Sequence, residues 1–227
     1  GIQTAGLMMG GQTTVVVNNT EEYDGSAWTA GGNLNTARQL LAGCGTQTEG
    51  LAFGGRISTV GGSGATEEYN GTSWTTGASL ATAREQLAGA GTQTAGLGFG
   101  GNNPGPTRSS ATIEYDGSSW TSGGNLGTGK WILAGAGTQT AGLAFGGEAF
   151  PPSPATLYSA TESFNGSTWT SVNSLNTARA EVGGAGTNIA ALAFGGVTTV
   201  SVANSESWNG TSWTATPTLN TARNNLA

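Results

Sequence analysis

A short stretch of sequence recurs five times along this chain, and the recurrence constrains the fold more than any other feature. The stretch GTQTAGLAFGG at residues 137–147 returns in similar form from residues 1, 45, 91 and 186. The second glycine of its Gly-Gly pair recurs at spacings of 44, 46, 46 and 49 residues, and a tryptophan follows each time at Trp28, Trp74, Trp120, Trp169 and Trp213. Self-similarity at such a period indicates an array of supersecondary units that pack on their neighbours.

Each unit contains four short segments that we expect to be β-strands, here named A to D. In the unit from Arg38 they are RQLLAGCGT, EGLAFGG, ATEEYNG and TSWTTG. An Asn-Gly or Asp-Gly pair between C and D is a strong signal for a tight hairpin turn. A period in the forties with this strand content predicts the blade of a β-propeller.

The sequence therefore predicts one all-β domain over residues 1–227, a five-bladed β-propeller of four-stranded antiparallel blades. The small residues of strand A suit the crowded centre, and the aromatic residues of strands C and D suit the space between blades. The C-terminal RNNLA is expected to add strand A to the N-terminal blade, which closes the ring and leaves no open inner edge. The blades are then 223–227 plus 1–31, 38–77, 84–123, 130–172 and 179–216.

Composition excludes several classes of partner and site. The chain has 7 basic and 13 acidic residues, a net charge of −6 and no histidine. A nucleic-acid partner is not expected, because no basic stripe is available to neutralise phosphates. The longest apolar runs have four or five residues, so membrane insertion is not expected either. Without histidine and with one cysteine, Cys44, we expect no metal site, no cofactor and no histidine-dependent triad.

The repeat resembles the kelch family of propellers, through Gly54-Gly55, Glu67, Tyr69, Trp74, Arg84 and their counterparts in the other units. Kelch blades serve adaptors, sugar-modifying enzymes and adhesins, so the resemblance implies a fold more than a function. The near-identical units are similar to kelch-like repeats of bacteriophage tail-fibre and adhesin proteins and of bacterial surface proteins. This implies an extracellular or virion location, with a glycan or cell-surface receptor and other virion proteins as candidate partners.

Three functions follow from this resemblance. The first is a non-enzymatic binding or structural module, a virion or cell-surface adhesin that recognises glycans. The alternative is a protein–protein interaction platform, and the second alternative is a sugar-modifying enzyme similar to a sialate mutarotase. The stretch YDGSSW at 115–120 is similar to the Asp-box of sialidases but is one residue shorter, and Asn70, Asn165 and Asn209 replace its aspartate elsewhere. We therefore do not expect an enzyme.

The variable segments between strands B and C are the first candidate for a binding surface. In a four-stranded meander these segments lie on one face with the starts of strand A, and the constant A–B and C–D turns lie on the other. Variation on one face suits a scaffold that presents loops, although drift in unconstrained loops would look the same. The ligand-binding candidates on this face are Arg56, Arg108, Phe150 and Tyr158. An opposing possibility places sugar sites on the constant face, at amides such as Gln47, Gln93 and Gln139.

The cation that opens each strand A is expected to form a structural ion pair across strand B. Strands lie roughly 4.8 Å apart, and the glycines of strand B leave room for an arginine to reach a glutamate on strand C. A buried charge needs such a partner. The expected pairs are Arg38–Glu67, Lys130–Glu162, Arg179–Glu206 and Arg223–Glu21. Arg84 faces Ile113 instead, so it must use Glu85, Glu114 or a ligand, and it is the first candidate for a functional cation.

Overall fold

The chain folds as a five-bladed β-propeller in a computed structural model that describes residues 2–57, 61–103, 108–149 and 156–226. Every regular element in these ranges is a β-strand, and each blade is an antiparallel meander. None of the described segments forms a helix long and apolar enough to span a membrane. The predicted fold class, all-β with five blades, is confirmed.

Strands are numbered along the chain. Blade one contains β1 (Gly6–Met9), β2 (Thr20–Tyr23) and β3 (Trp28–Ala30). Blade two contains β4 (Ala42–Gly45), β5 (Gly50–Phe53), β6 (Thr66–Tyr69) and β7 (Trp74–Thr76). Blade three contains β8 (Ala88–Thr92), β9 (Ala95–Phe99), β10 (Thr112–Tyr115) and β11 (Trp120–Ser122). Blade four contains β12 (Ala134–Thr138), β13 (Ala141–Phe145), a small hairpin of β14 (Glu148–Ala149) and β15 (Thr156–Leu157), β16 (Thr161–Phe164) and β17 (Trp169–Val172). Blade five contains β18 (Gly183–Gly186), β19 (Ala191–Phe194), β20 (Ser205–Trp208) and β21 (Trp213–Thr216).

Strand B forms the core of each blade. In blade two Leu51, Ala52 and Phe53 are completely buried, because β5 has strands on both edges and a neighbouring blade against each face. A short, continuous apolar run is the pattern expected for a strand covered on both faces.

The A strands lie innermost, where β4, β8, β12 and β18 contact one another in order. Their small residues allow this approach. A Cβ atom added to Gly89 would lie 2.9 Å from the carbonyl oxygen of Gly43 in the preceding blade. The predicted use of small side chains at the centre is therefore confirmed.

Large aromatic side chains form the contact between adjacent blades, which we call a seam. The indole Nε1 of the first residue in strand D donates a hydrogen bond to the hydroxyl of the first residue in strand C of the preceding blade. The pairs are Trp74–Thr20, Trp120–Thr66, Trp169–Thr112 and Trp213–Thr161, at 2.8–2.9 Å. The strand-B phenylalanine of the preceding blade packs on the same indole, with ring centroids 4.9 Å apart in Phe53–Trp120, Phe99–Trp169 and Phe145–Trp213. These contacts confirm the predicted aromatic packing between blades.

Blade one differs from the prediction, because its sheet contains only β1, β2 and β3 within the described residues. We expected residues 223–227 to add a strand to this sheet, but the register of the repeat shows that residues 223–226 do not form one. Strand A begins at Ala42, four residues after Arg38, so residues 223–226 correspond to the segment that precedes the strand. The carbonyl oxygen of Arg223 accepts a hydrogen bond from the backbone N–H of Gly196 in blade five, as the carbonyl oxygen of Arg38 does from Gly11 in blade one.

Blades one and five each have a face that no neighbouring blade covers, and the exposure of side chains on these faces is consistent with this correction. Trp28 is 48% exposed, whereas Trp74 and Trp213, at the same position in blades two and five, are buried. Leu192 is 39% exposed, whereas the equivalent Leu143 of blade four is fully buried. Among the described residues, the four seams join blades one to five in chain order, and no tryptophan–threonine or phenylalanine–tryptophan pair joins blade five to blade one.

Candidate functional site

The B–C segments and the residues that precede strand A meet on one face of the propeller, which we call the loop face. The residue after each Gly-Gly pair forms a bridge with the residue after the strand-A cation. These bridges join Gln39 to Arg56, Glu85 to Asn102, Trp131 to Glu148 and Ala180 to Val197. The bridges place the variable segments beside the cation positions, as the meander predicts.

A groove of about 610 Å³ opens on this face between blades one and two. Aliphatic side chains of its wall are well exposed, with Val15 at 63% and Ile57 at 41%. Its polar lining includes two amides and one guanidinium. The groove is lined by Gln12, Thr14, Val15, Val16, Ala37, Gln39, Arg56 and Ile57.

Arg56, one of the predicted ligand-binding residues, is anchored at the edge of this groove. Its Nε and Nη2 donate hydrogen bonds of 2.5 and 2.6 Å to the two carboxylate oxygens of Glu85 in blade three. Burial alone would raise the pKa of Glu85, but the hydrogen bonds from Arg56 and Asn102 outweigh burial and lower this pKa. Glu85 is thus a charged partner of Arg56 and does not pair with Arg84, contrary to one of our expectations.

Arg108 belongs to the same polar network. Its Nη1 donates a hydrogen bond of 2.7 Å to Asn102 Oδ1, and its guanidinium carbon lies 3.7 Å from the ring centroid of Trp131 in blade four. Trp131 in turn donates a hydrogen bond of 3.2 Å from Nε1 to Glu148 Oε1. A cation held over an indole face in this way is stabilised by the ring quadrupole. The structure thus brings Arg56 and Arg108 into one network through Glu85 and Asn102.

Sequence reasoning missed Asn102, Trp131 and Glu148 as members of this network. The sequence did contain one signal for these residues, because they differ from the residues at the same positions in the other repeats. Trp131 stands where the other units have Gln39, Glu85, Ala180 and Asn224.

Of the other two predicted loop residues, Tyr158 does not join this network. Phe150 lies outside the described residues. Tyr158 lines a separate pocket of about 200 Å³ in blade four, beside the ion pair of Lys130 and Glu162. The remaining lining residues of this pocket are Gly127, Thr128, Ala160 and Ser171.

Three of the four predicted ion pairs are present. Arg38 Nη2 lies 3.0 Å from Glu67 Oε1, Lys130 Nζ lies 3.0 Å from Glu162 Oε1, and Arg179 Nη2 lies 2.9 Å from Glu206 Oε1. All six side chains are buried. Burial lowers the pKa of Arg38 and of Arg179, and the facing glutamate partly offsets this effect. These pairs are confirmed as structural.

The fourth predicted pair, Arg223–Glu21, is not formed. Both side chains are exposed, and the described residues contain no ion pair between them. The physical reason is the register described above. Arg223 makes the same backbone bond to the preceding blade as Arg38 and Arg179, but among the described residues no strand A lies beside β1 and no seam brings blade five next to Glu21.

Arg84 is buried, with 6% of its surface exposed, and Ile113 occupies the register position that glutamate has in the other blades. Its Nη1 donates a hydrogen bond of 3.0 Å to the carbonyl oxygen of Ala111. It has no ion pair with a carboxylate of the described residues. Burial lowers the pKa of Arg84.

The amides proposed as sugar sites on the constant face are used within the seams. Gln93 Nε2 donates hydrogen bonds of 3.0 and 2.6 Å to the carbonyl oxygens of Gly50 and Tyr69 in the preceding blade. Gln139 and Gln47 make the same kind of bond to the blade before them. These amide nitrogens already donate to backbone carbonyl oxygens of the preceding blade.

The described part of the chain contains no group of three or more acidic or cysteine side chains placed to hold a metal ion. No protein-family model matches the chain. No curated protein sequence is significantly similar to it.

Proposed function

We propose that this propeller is a non-enzymatic binding module of the extracellular space or of a virion, an adhesin that recognises glycans through its loop face. The observation that carries this proposal is the groove between blades one and two. It combines exposed aliphatic surface at Val15 and Ile57 with polar groups at Gln12, Gln39 and Arg56. Concave sites with an apolar wall and a few convergent polar groups are typical of small-ligand sites.

This lining suits the chemistry of a sugar. The amides of Gln12 and Gln39 offer both donors and acceptors to hydroxyl groups. The valine and isoleucine side chains offer apolar contact to the C–H face of a sugar ring. The salt bridge to Glu85 fixes Arg56, so the groove wall is held in place before a ligand arrives. The resemblance of the repeats to kelch-like adhesins supports the same function.

Binding of the labelled full chain to a glycan array tests this proposal. Gln39→Ala and Val15→Asp, both in the groove, are expected to reduce binding at least tenfold. Thr75→Ala, an exposed change on strand D of blade two, is the matched control and should leave binding unchanged. Absence of any glycan binding, or equal binding by all three variants, would contradict the proposal.

A protein partner is the second candidate, and a specific observation favours it. Val200 in the B–C segment of blade five is 66% exposed, so exposed aliphatic side chains of the B–C segments are not confined to the groove. Large apolar contact areas on loops are characteristic of protein interfaces. Val200→Asp separates the candidates, because it should weaken binding to a protein across the loop face and leave glycan binding in the groove unchanged.

A further inference from the structure

In each of the three buried ion pairs, the glutamate carboxylate makes a second contact, to a backbone N–H. In each pair the glutamate Oε1 contacts the cation, and Oε2 accepts a hydrogen bond from the backbone N–H three residues before that cation. These bonds come from Asn35 to Glu67, from Gly127 to Glu162 and from Asn176 to Glu206, at 2.6–2.7 Å. One carboxylate therefore bridges a cation and a backbone amide in blades two, four and five.

Blade three keeps the cation and the amide but has no carboxylate at the bridging position, where Ile113 stands. Ile113 pairs with Gly98 in the register that Glu67 has with Ala52. Its hydrocarbon side chain supplies no oxygen to Arg84 or to the backbone N–H of Ala81, the residue three before Arg84. Within the described residues, no protein atom accepts a hydrogen bond from that N–H.

The guanidinium of Arg84 differs from its counterparts at Nη2. The Nε atoms of Arg38, Arg84 and Arg179 all lack a partner among the described residues, so Nε does not distinguish them. Nη2 of Arg38 and of Arg179 contacts a glutamate, whereas the one hydrogen bond of the Arg84 side chain is made by Nη1. The described carboxylates leave this buried cation uncompensated, an arrangement that is unfavourable without a counter-ion.

Neighbouring acidic residues do not serve as that counter-ion. Glu85 follows Arg84 in the chain but is held by Arg56 and Asn102. Desolvation is the one influence on the Arg84 pKa, whereas a facing glutamate acts on Arg38 and Arg179. Arg84 is also slightly more accessible than these two arginines, at 6% against 0% exposed.

We propose that blade three contains a binding site for a small carboxylate anion between the guanidinium of Arg84 and the backbone N–H of Ala81. The anion would take the bridging position that glutamate occupies in the other three blades. A planar carboxylate suits this position, because a guanidinium and an amide N–H are both donors and a carboxylate offers two acceptor oxygens. The site is separate from the groove between blades one and two, and it does not depend on the function proposed there.

Thermal unfolding of the full chain tests this site with sodium formate as the probe. Formate replaces chloride at constant ionic strength, so general screening is unchanged. The unfolding midpoint of the natural protein should rise with formate and level off, as expected for a ligand that binds only the folded state. Ile113→Glu supplies the missing carboxylate, so its midpoint in chloride should be higher and should not respond to formate.

Two further measurements keep the test decisive if Ile113→Glu does not fold. Arg84→Met removes the cation, and its midpoint should be independent of formate. In an amide NMR titration of the natural protein, the Ala81 N–H resonance should shift with formate to a plateau, and this shift should be absent from Arg84→Met. The proposal is overturned if all three proteins respond equally to formate, or if the Ala81 resonance of the natural protein does not shift.

Discussion

The indole Nε1 of Trp74 donates a hydrogen bond of 2.8 Å to the hydroxyl oxygen of Thr20 in the preceding blade. The two residues are 54 positions apart, and both are buried. The same pair recurs in the other three seams, so each seam contains at least one such side-chain hydrogen bond among its aromatic contacts. A buried donor that loses its acceptor is costly, and this makes the threonine of each pair a sensitive position.

Thr66→Val should therefore destabilise the protein by about 1–3 kcal/mol, because it leaves Trp120 Nε1 without its acceptor. Thr75→Val is the control, since Thr75 is exposed on strand D, and its effect should lie within about 0.5 kcal/mol. Urea unfolding followed by circular dichroism measures both. Equal effects of the two substitutions would show that the hydrogen bond contributes little to the seam.

Trp28 and Trp74 occupy the same position in blades one and two but differ in exposure. Trp74→Ala should cost about 3–5 kcal/mol, as for a large buried side chain. Trp28→Ala should cost clearly less, because the Trp28 side chain is half exposed and packs on Tyr23 of its own blade. The comparison is made by urea unfolding. A loss for Trp28→Ala as large as that for Trp74→Ala would mean that another surface covers this side chain in solution.

Replacing a buried cation by alanine should cost more stability in an ion-paired blade than at Arg84. Arg179→Ala leaves Glu206 buried without its partner and should cost about 3–5 kcal/mol. Arg84→Ala leaves no carboxylate unpaired, so in chloride buffer it should cost less. Both substitutions remove the same aliphatic atoms, and their difference therefore reports the ion pair. Equal shifts of the thermal midpoint would contradict the distinction between the two cations.

Asp116 in the C–D turn of blade three should titrate at an unusually low pH. Hydrogen bonds from the Ser118 hydroxyl and from the backbone N–H groups of Ser119 and Ser118 lower its pKa from 3.8 to about 2. Because the ionised form is favoured in the folded state, this contribution to stability is present above pH 3.8 and is lost as the pH falls through about 2. Carbon-13 NMR of the carboxyl group measures the pKa directly.

Asp116→Asn is the matched control for this titration. Asn70 forms the same contacts to the backbone N–H groups of Thr72 and Ser73 in blade two, so the variant should keep the turn and lose the titration. An Asp116 pKa close to 3.8 would contradict the hydrogen-bonded geometry of this turn.

Cys44 should be unreactive in the folded protein. Burial raises the pKa of its thiol from 9.0 to about 12, so at pH 8 the nucleophilic thiolate is scarce. Iodoacetamide should therefore alkylate the folded chain much more slowly than the chain in concentrated urea, as followed by mass spectrometry. Similar rates in the two conditions would show that the thiol is open to solvent.

The repeats made most of the fold predictable from the sequence, but they did not reveal the backbone conformation just before strand A. The segment RQLLAGCGT was predicted as one strand, yet Leu40 adopts a left-handed conformation with φ of 55°, and strand A starts only at Ala42. The equivalent positions in the other four units have φ between 46° and 55°. Asparagine marks this position in the last unit, at Asn225, but the other four units have leucine, glutamine, isoleucine and glutamate there, which give no such signal. The start of strand A was therefore predicted four residues too early in blades two to five.

The candidate site was predictable only where it follows the repeat. The three buried ion pairs follow from glycines that let a cation cross strand B. The network of Arg56, Glu85 and Trp131 involves residues that differ between units and that meet only across blades. In addition, neighbouring side chains in an extended chain point to opposite sides, which explains why Glu85 serves Arg56 and not the adjacent Arg84.

The seams have a consequence for how such a chain can change its length. Blades two, three and four are each both donor and receiver of contacts of one kind, and each seam involves only adjacent blades. A gene duplication that inserts one whole unit would therefore create a blade whose two sides already match its new neighbours. Blade number can evolve by copying alone, without the invention of a new interface.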